Sequence, residues 1–185
     1  MKVGRVRQEE SESWVTHCND LTRHNAWATV QVLKYCQGIN ESDLNATVPG
    51  TYGTIIQILR HTIDSESSYL FRISGAWDEF PWARDEEVCL ETLGQRAAVL
   101  AATWEQFLSN DIDTEQLDEA KGDDGDVFAV RGSIFITQAL HHANEHRAQV
   151  CSILGALGHE PPDVSAWGYA LASGRSWLTS PSSLL

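Results

Sequence analysis

Positive charge is scarce in this sequence: 13 lysines and arginines stand against 26 aspartates and glutamates, a formal net charge of −13. A surface that grips nucleic-acid phosphates needs clustered cations, and here they are few and scattered, so no nucleic-acid partner is expected. Long apolar runs are missing as well. No stretch approaches the ~20 apolar residues of a membrane span, so no membrane partner is expected. The opening MKVGRVRQEESES has no apolar leader core, and a cytoplasmic location is the expectation. The four cysteines, Cys18, Cys36, Cys89 and Cys151, form no CxxC pair and read as small core residues in a reducing compartment. Strand-like alternation is also absent over any useful length, which leaves an all-α fold class.

What the sequence does have is a 3.6-residue apolar repeat, four times over. The 185 residues, 42% apolar, suit one domain over 1–185 with a sizeable core. Helices are predicted at about 13–37, 54–74, 86–110 and 133–157. The first carries Trp14, Cys18, Leu21, Asn25, Ala28, Val32 and Tyr35 or Cys36 on one stripe and stops at Gly38. The second follows the turn-rich PGTYG at 49–53 and ends at Gly75. Val88, Leu93, Val99, Leu100, Trp104, Phe107 and Leu108 form the apolar set of the third. Ser133 is the expected N-cap of the fourth, with Gly158 just past its end. An irregular tail, about 158–185, is expected on the surface.

Two connections matter. GAWDEFPWARD, residues 75–85, can stretch about 36 Å at ~3.3 Å per residue, enough to run the length of a 22-residue helix at ~33 Å. That length permits a crossover between parallel helices within a four-helix bundle. Residues 111–130, with the acidic DEAKGDDGD, read as a loop; a calcium loop needs a closing bidentate Glu, and none follows.

The histidines stand out. In HHANEHRAQV, residues 141–150, the inward row of the fourth helix runs Phe135, Ala139, His142, His146, Val150, Ile153, Leu157. Residues four apart hold their Cβ atoms about 6 Å apart, so His142 and His146 can converge on one ion. Two core imidazoles otherwise compete for scarce hydrogen-bond partners. His61, at the edge of the second helix's apolar arc, points toward the same core and offers a third ligand. Three imidazoles leave coordination positions open for water or substrate and suit zinc, nickel or iron. His142, Glu145 and His146 also spell H-x-x-E-H, but a peptidase of that type needs a further downstream carboxylate in a much larger α/β protein. Glu145 is the candidate catalytic group, as an orienter of a ligand or a base acting on metal-bound water. His141 should point about 100° away from the row.

The phrases NAWATVQVLKYC, PGTYGTIIQILRHTIDSESSYLFRISG and QALHHANEHRAQVCSILGALGHEPPD resemble the DinB/YfiT-like family of metalloenzymes, in order, from about residue 19 to 170. The resemblance implies a four-helix bundle of up-down-down-up order, a homodimer, and a nickel- or zinc-type divalent ion on His61, His142 and His146. It departs at Glu145, where the family phrase has a histidine, and at Ala148, where it has a glycine. Some relatives use their metal to activate a low-molecular-weight thiol for transfer or isomerisation, so a small-molecule substrate of that kind is implied. The alternatives are a non-catalytic stress-response protein that binds metal or ligand, and a metal-dependent hydrolase.

Overall fold

The four periodic stretches become four long helices in the computed structural model, which describes residues 3–74, 82, 88–110, 113–122 and 124–179, with backbone alone for residues 3–18. In chain order they are α1 (Val3–Cys36), α3 (Ile55–Ile73), α4 (Leu90–Ser109) and α5 (Gly132–Ala156). Two short helices, α2 (Glu41–Leu44) and α6 (Ala166–Ala172), and two strands, β1 (Leu117–Lys121) and β2 (Val127–Arg131), complete the order. The protein is therefore mostly helical, with one small sheet. α1 and α3 each pack against both α4 and α5. The proposed crossover, residues 75–85, lies outside the described residues apart from Trp82.

Local chemistry explains the boundaries. Thr54 and Gln57 form a reciprocal capping box at the start of α3, the Thr54 hydroxyl accepting from Gln57 N at 3.2 Å and Gln57 Oε1 from Thr54 N at 2.9 Å. Past the end of α5, Gly158 takes φ +85°, the left-handed conformation that favours glycine. At the other end of α5 the expected Ser133 cap is not used: Arg131 is the N-cap residue, and Ser133 N donates instead to Thr114 O at 2.7 Å. A Cβ on Gly132 would sit 3.0 Å from Thr114 O, so the close approach of that loop favours the glycine.

Three sequence expectations are corrected. Residues 111–130 are not all loop, because β1 and β2 pair antiparallel from Leu117↔Arg131 to Lys121↔Val127. The strands are five residues long and both stay largely exposed, so neither carries the buried alternation that announces a strand. The tail likewise is not wholly irregular: Ser165 caps α6 by accepting from Gly168 N at 3.1 Å. α1 also begins well before Ser13. Its first turns are rich in Arg, Gln and Glu, good helix formers that leave no apolar signal.

Ile58, Leu59, Ile63, Leu70, Leu93, Trp104, Val150, Ile153 and Leu154 are essentially sealed from solvent. Each such side chain stabilises the fold by roughly 1.5–3 kcal/mol. Of the predicted core, Leu21 (58% exposed), Val99 (43%) and Leu157 (38%) lie outside it. Their places near the core are taken partly by polar residues, for Thr22, Asn25, Thr29, Glu66, Arg96 and Arg147 are buried. Four of these make one network with Trp104. Arg147 donates to Asn25 Oδ1 at 2.7 Å and Thr29 Oγ1 at 3.0 Å, while Glu66 Oε1 accepts from Asn25 Nδ2 at 2.8 Å and Trp104 Nε1 at 2.7 Å. It ties α1, α3, α4 and α5 together. Burial pushes the Glu66 carboxyl up and lowers the Arg147 guanidinium to about 10, the Coulomb attraction between them opposing both shifts.

Candidate metal centre

α3 turns its apolar arc of Ile55, Ile58, Leu59, Thr62 and Ile63 into the core, which leaves His61 on the rim that faces α5. From α5, His142 is half-buried and His146 is 7% exposed. Contacts at the other end of the pair fix the approach: Tyr69 lies 6.3 Å from the Phe135 ring, and Arg72 sits 5.6 Å over it. The three histidines selected from the sequence therefore meet. His142 Nε2 is 3.1 Å from His61 Nε2 and 3.1 Å from His146 Nε2, and the ligand atoms of the three lie within 4.8 Å of one another.

This arrangement is hard to satisfy with protons alone. A neutral imidazole has one N–H and one in-plane lone pair, so His142 Nε2 is a good donor to one neighbour or a good acceptor from one, never both at once. His146 Nδ1, moreover, is buried without a hydrogen-bond partner among the described residues. Two nitrogens that share an ion at ~2.1 Å stand at most ~4.2 Å apart; both separations from His142 fall inside that reach, and the His61–His146 pair, within 4.8 Å, is the widest of the three. The donor set fits a divalent ion.

Electrostatics favour the same state. Burial lowers all three imidazoles; for His142 the neighbouring His146, His61 and His141 add to it and bring the ring to about 4. At neutral pH the rings are uncharged and their lone pairs are available to a cation.

The loop before α3 supplies what the sequence reading missed. Tyr52 stacks on His61 with centroids 4.1 Å apart and planes at 16°, and meets His146 edge-on at 5.4 Å. Its amide donates to Gln149 Oε1 at 2.9 Å, which pins the loop to α5. That amide oxygen is thus engaged, although Gln149 lies close enough to His146 to oppose the lowering of its pKa by burial. The signal for Tyr52 was present: one aromatic in PGTYG, a tight turn feeding the helix that carries His61. Gly50, at φ +91°, lets that turn form.

Glu145 is placed differently. It is exposed and pairs with His141 Nδ1 at 3.5 Å, and no hydrogen bond joins it to the three rings among the described residues. His141 points away from the cluster, as its spacing predicted. Asn25 is buried in the polar network, and His24 Nε2 meets Val164 O at 2.9 Å beside Tyr169. Arg147 and Gln149 bridge neighbouring elements.

The described structure is thus that of a mostly helical protein with three histidines able to hold a metal ion. The profile of the DinB family matches residues 15–175, and the chain belongs to that family. A crystal structure of a DinB family member protein from Shewanella denitrificans has a similar fold, with a TM-score of 0.60 and 16% identity over 91% of this chain and 92% of that one. Comparison with curated proteins finds no match.

Proposed function

We propose that the protein is a metal-dependent enzyme of the DinB type, built on a four-helix bundle of up-down-down-up order, with nickel or zinc on His61, His142 and His146. Side-chain pairs support the topology. His61 beside His146 and Tyr69 beside Phe135 run in opposite senses along α3 and α5. Arg23 bonds Glu105 at 2.6 Å while Ala26 and Thr29 border a small cavity with Ala97 and Leu100, the opposite sense for α1 and α4. Asp64 with Arg96 and Glu66 with Trp104 run in one sense along α3 and α4.

The observation that carries the functional reading is the convergence of three uncharged imidazoles with 3.1 Å between neighbouring Nε2 atoms. A divalent ion held there supplies a positive charge that lowers the pKa of a bound thiol or water, so that thiolate or hydroxide exists near neutral pH. The substrate is a small molecule, with a low-molecular-weight thiol as co-substrate. In this reading His61, His142 and His146 bind, Tyr52 holds the His61 ring in place and shields one face from water, and Gln149 keeps Tyr52 there. The cavity beside His61, about 580 Å³, gives a substrate room to approach.

Elemental analysis of the purified protein, followed by thiol consumption with model electrophiles, tests the proposal. Bound metal and metal-dependent thiol consumption support it. Bound metal without reaction under any thiol assigns the protein to non-catalytic metal or ligand binding instead.

A further inference from the structure

The cavity beside His61 has its own chemistry. Gln57, His61, Ser65 and Ser68 follow one another at steps of three or four along α3, so they form a single stripe. From Gln57 to Ser68 this stripe runs about 16 Å at ~1.5 Å per residue, the dimension of an elongated small molecule and not of a single ion. Arg60 and Asp64 flank it, and Arg60 is the lone cationic side chain among the lining residues. In a chain with twice as many acids as bases that placement is distinctive.

The two flanking charges are not equivalent. Asp64 is already held by three donors: Trp82 Nε1 at 3.0 Å, Arg96 Nη1 at 3.3 Å and Arg60 Nε at 3.4 Å. Arg60 has only that last, long contact through Nε among the described residues, and its side chain remains 31% exposed. A long, partly exposed pair of this kind leaves the guanidinium edge open to an incoming acceptor. Arginine's planar fork matches a carboxylate with two parallel hydrogen bonds. One cation beside one fixed carboxylate suits a singly charged anion and disfavours a phosphate dianion.

We infer that the cavity along α3 takes a carboxylate-bearing small molecule, its carboxylate on Arg60 and its polar arm along Ser65 and Ser68, with its reactive end at His61. The inference rests on the proposed metal site only for the position of that reactive end.

N-acetylcysteine and N-acetylcysteamine share a thiol and an amide and differ by one carboxylate, so the pair isolates its contribution. Calorimetric titration of the nickel-loaded protein is expected to show N-acetylcysteine binding about tenfold more tightly, the factor that one good charge-assisted contact gives. Arg60→Gln should erase the preference and Arg60→Lys should keep part of it. The preference should survive in His142→Ala, where the metal-dependent part of both affinities is lost. Equal affinities in the native protein, no binding of either probe, or an undiminished preference in Arg60→Gln each overturn the inference. Affinities that ignore the metal but keep the Arg60-dependent preference overturn only the thiol reading of the metal site.

Discussion

Two polar clusters among the described residues sit close together, and only one is complete. Around Arg147 and Glu66, Asn25 and Thr29 accept from the guanidinium while Asn25 and Trp104 donate to the carboxylate. The network closes on itself across four helices. A few residues away His61, His142 and His146 crowd their ring nitrogens together, and the Nδ1 of His146 has no partner among the described residues. Buried polarity that is satisfied within the chain holds helices in register; buried polarity left open marks a place for something else. The adjacent residues His146 and Arg147 belong one to each cluster.

The comparison can be broken most severely at His142. His142→Ala should remove metal binding altogether, read by elemental analysis, while far-ultraviolet circular dichroism changes little. Next in size is Arg147→Met. It leaves Asn25 Oδ1 and Thr29 Oγ1 without their buried donor and should cost about 1–3 kcal/mol in urea denaturation, with the folded fraction still taking up metal. If instead Arg147→Met abolishes metal uptake in the folded protein, the two clusters are one.

Acid should separate them further. All three histidines bind protons less readily in the folded chain than their ordinary value of 6.5, His142 down to about 4. Below 6.5 the unfolded chain therefore binds more protons, so metal-free stability holds above that pH and is lost as the pH falls toward 4. Metal affinity should stay flat through 6.5 and fall only as the pH drops through the lowered folded-state values, toward about 4 for His142, followed by dialysis against a buffered ion. An affinity already falling between pH 8 and 7 contradicts the neutral-ring assignment. Smaller still is Tyr52→Ala, which removes the stack on His61 and should weaken metal binding by ~0.5–1.5 kcal/mol in a competition titration with a chelator. The smallest effect belongs to Glu145→Gln: its exposed pairing with His141 predicts a change within about twofold in metal affinity.

The long helices were legible because each buries one face, and burial at a 3.6-residue repeat is what periodicity detects. The two histidines on α5 were legible for the same reason: His142 and His146 interrupt a row otherwise filled by Phe135, Ala139, Val150 and Ile153. The hairpin was not, since its exposed strands have no buried face to announce them. Leu21 was misplaced because the inward side of α1 there is polar: Thr22 and Asn25 are buried while Leu21 is exposed, and a hydrophobicity pattern reads a threonine as surface. Tyr52 escaped notice because its role is a contact across the fold, between a turn and two helices, which no spacing along the chain encodes. The position of Glu145 was equally hidden. Its H-x-x-E-H spacing invites a catalytic role, whereas its place on α5 turns it outward to His141.

Equilibrium dialysis against nickel or zinc at neutral pH, with elemental analysis of the native chain and of His61→Ala, His142→Ala and His146→Ala, tests the central claim most directly. One ion per native chain and none in any of the three variants is the predicted result. Native-level metal retained in all three variants, or none in the native chain, contradicts a site built from these histidines.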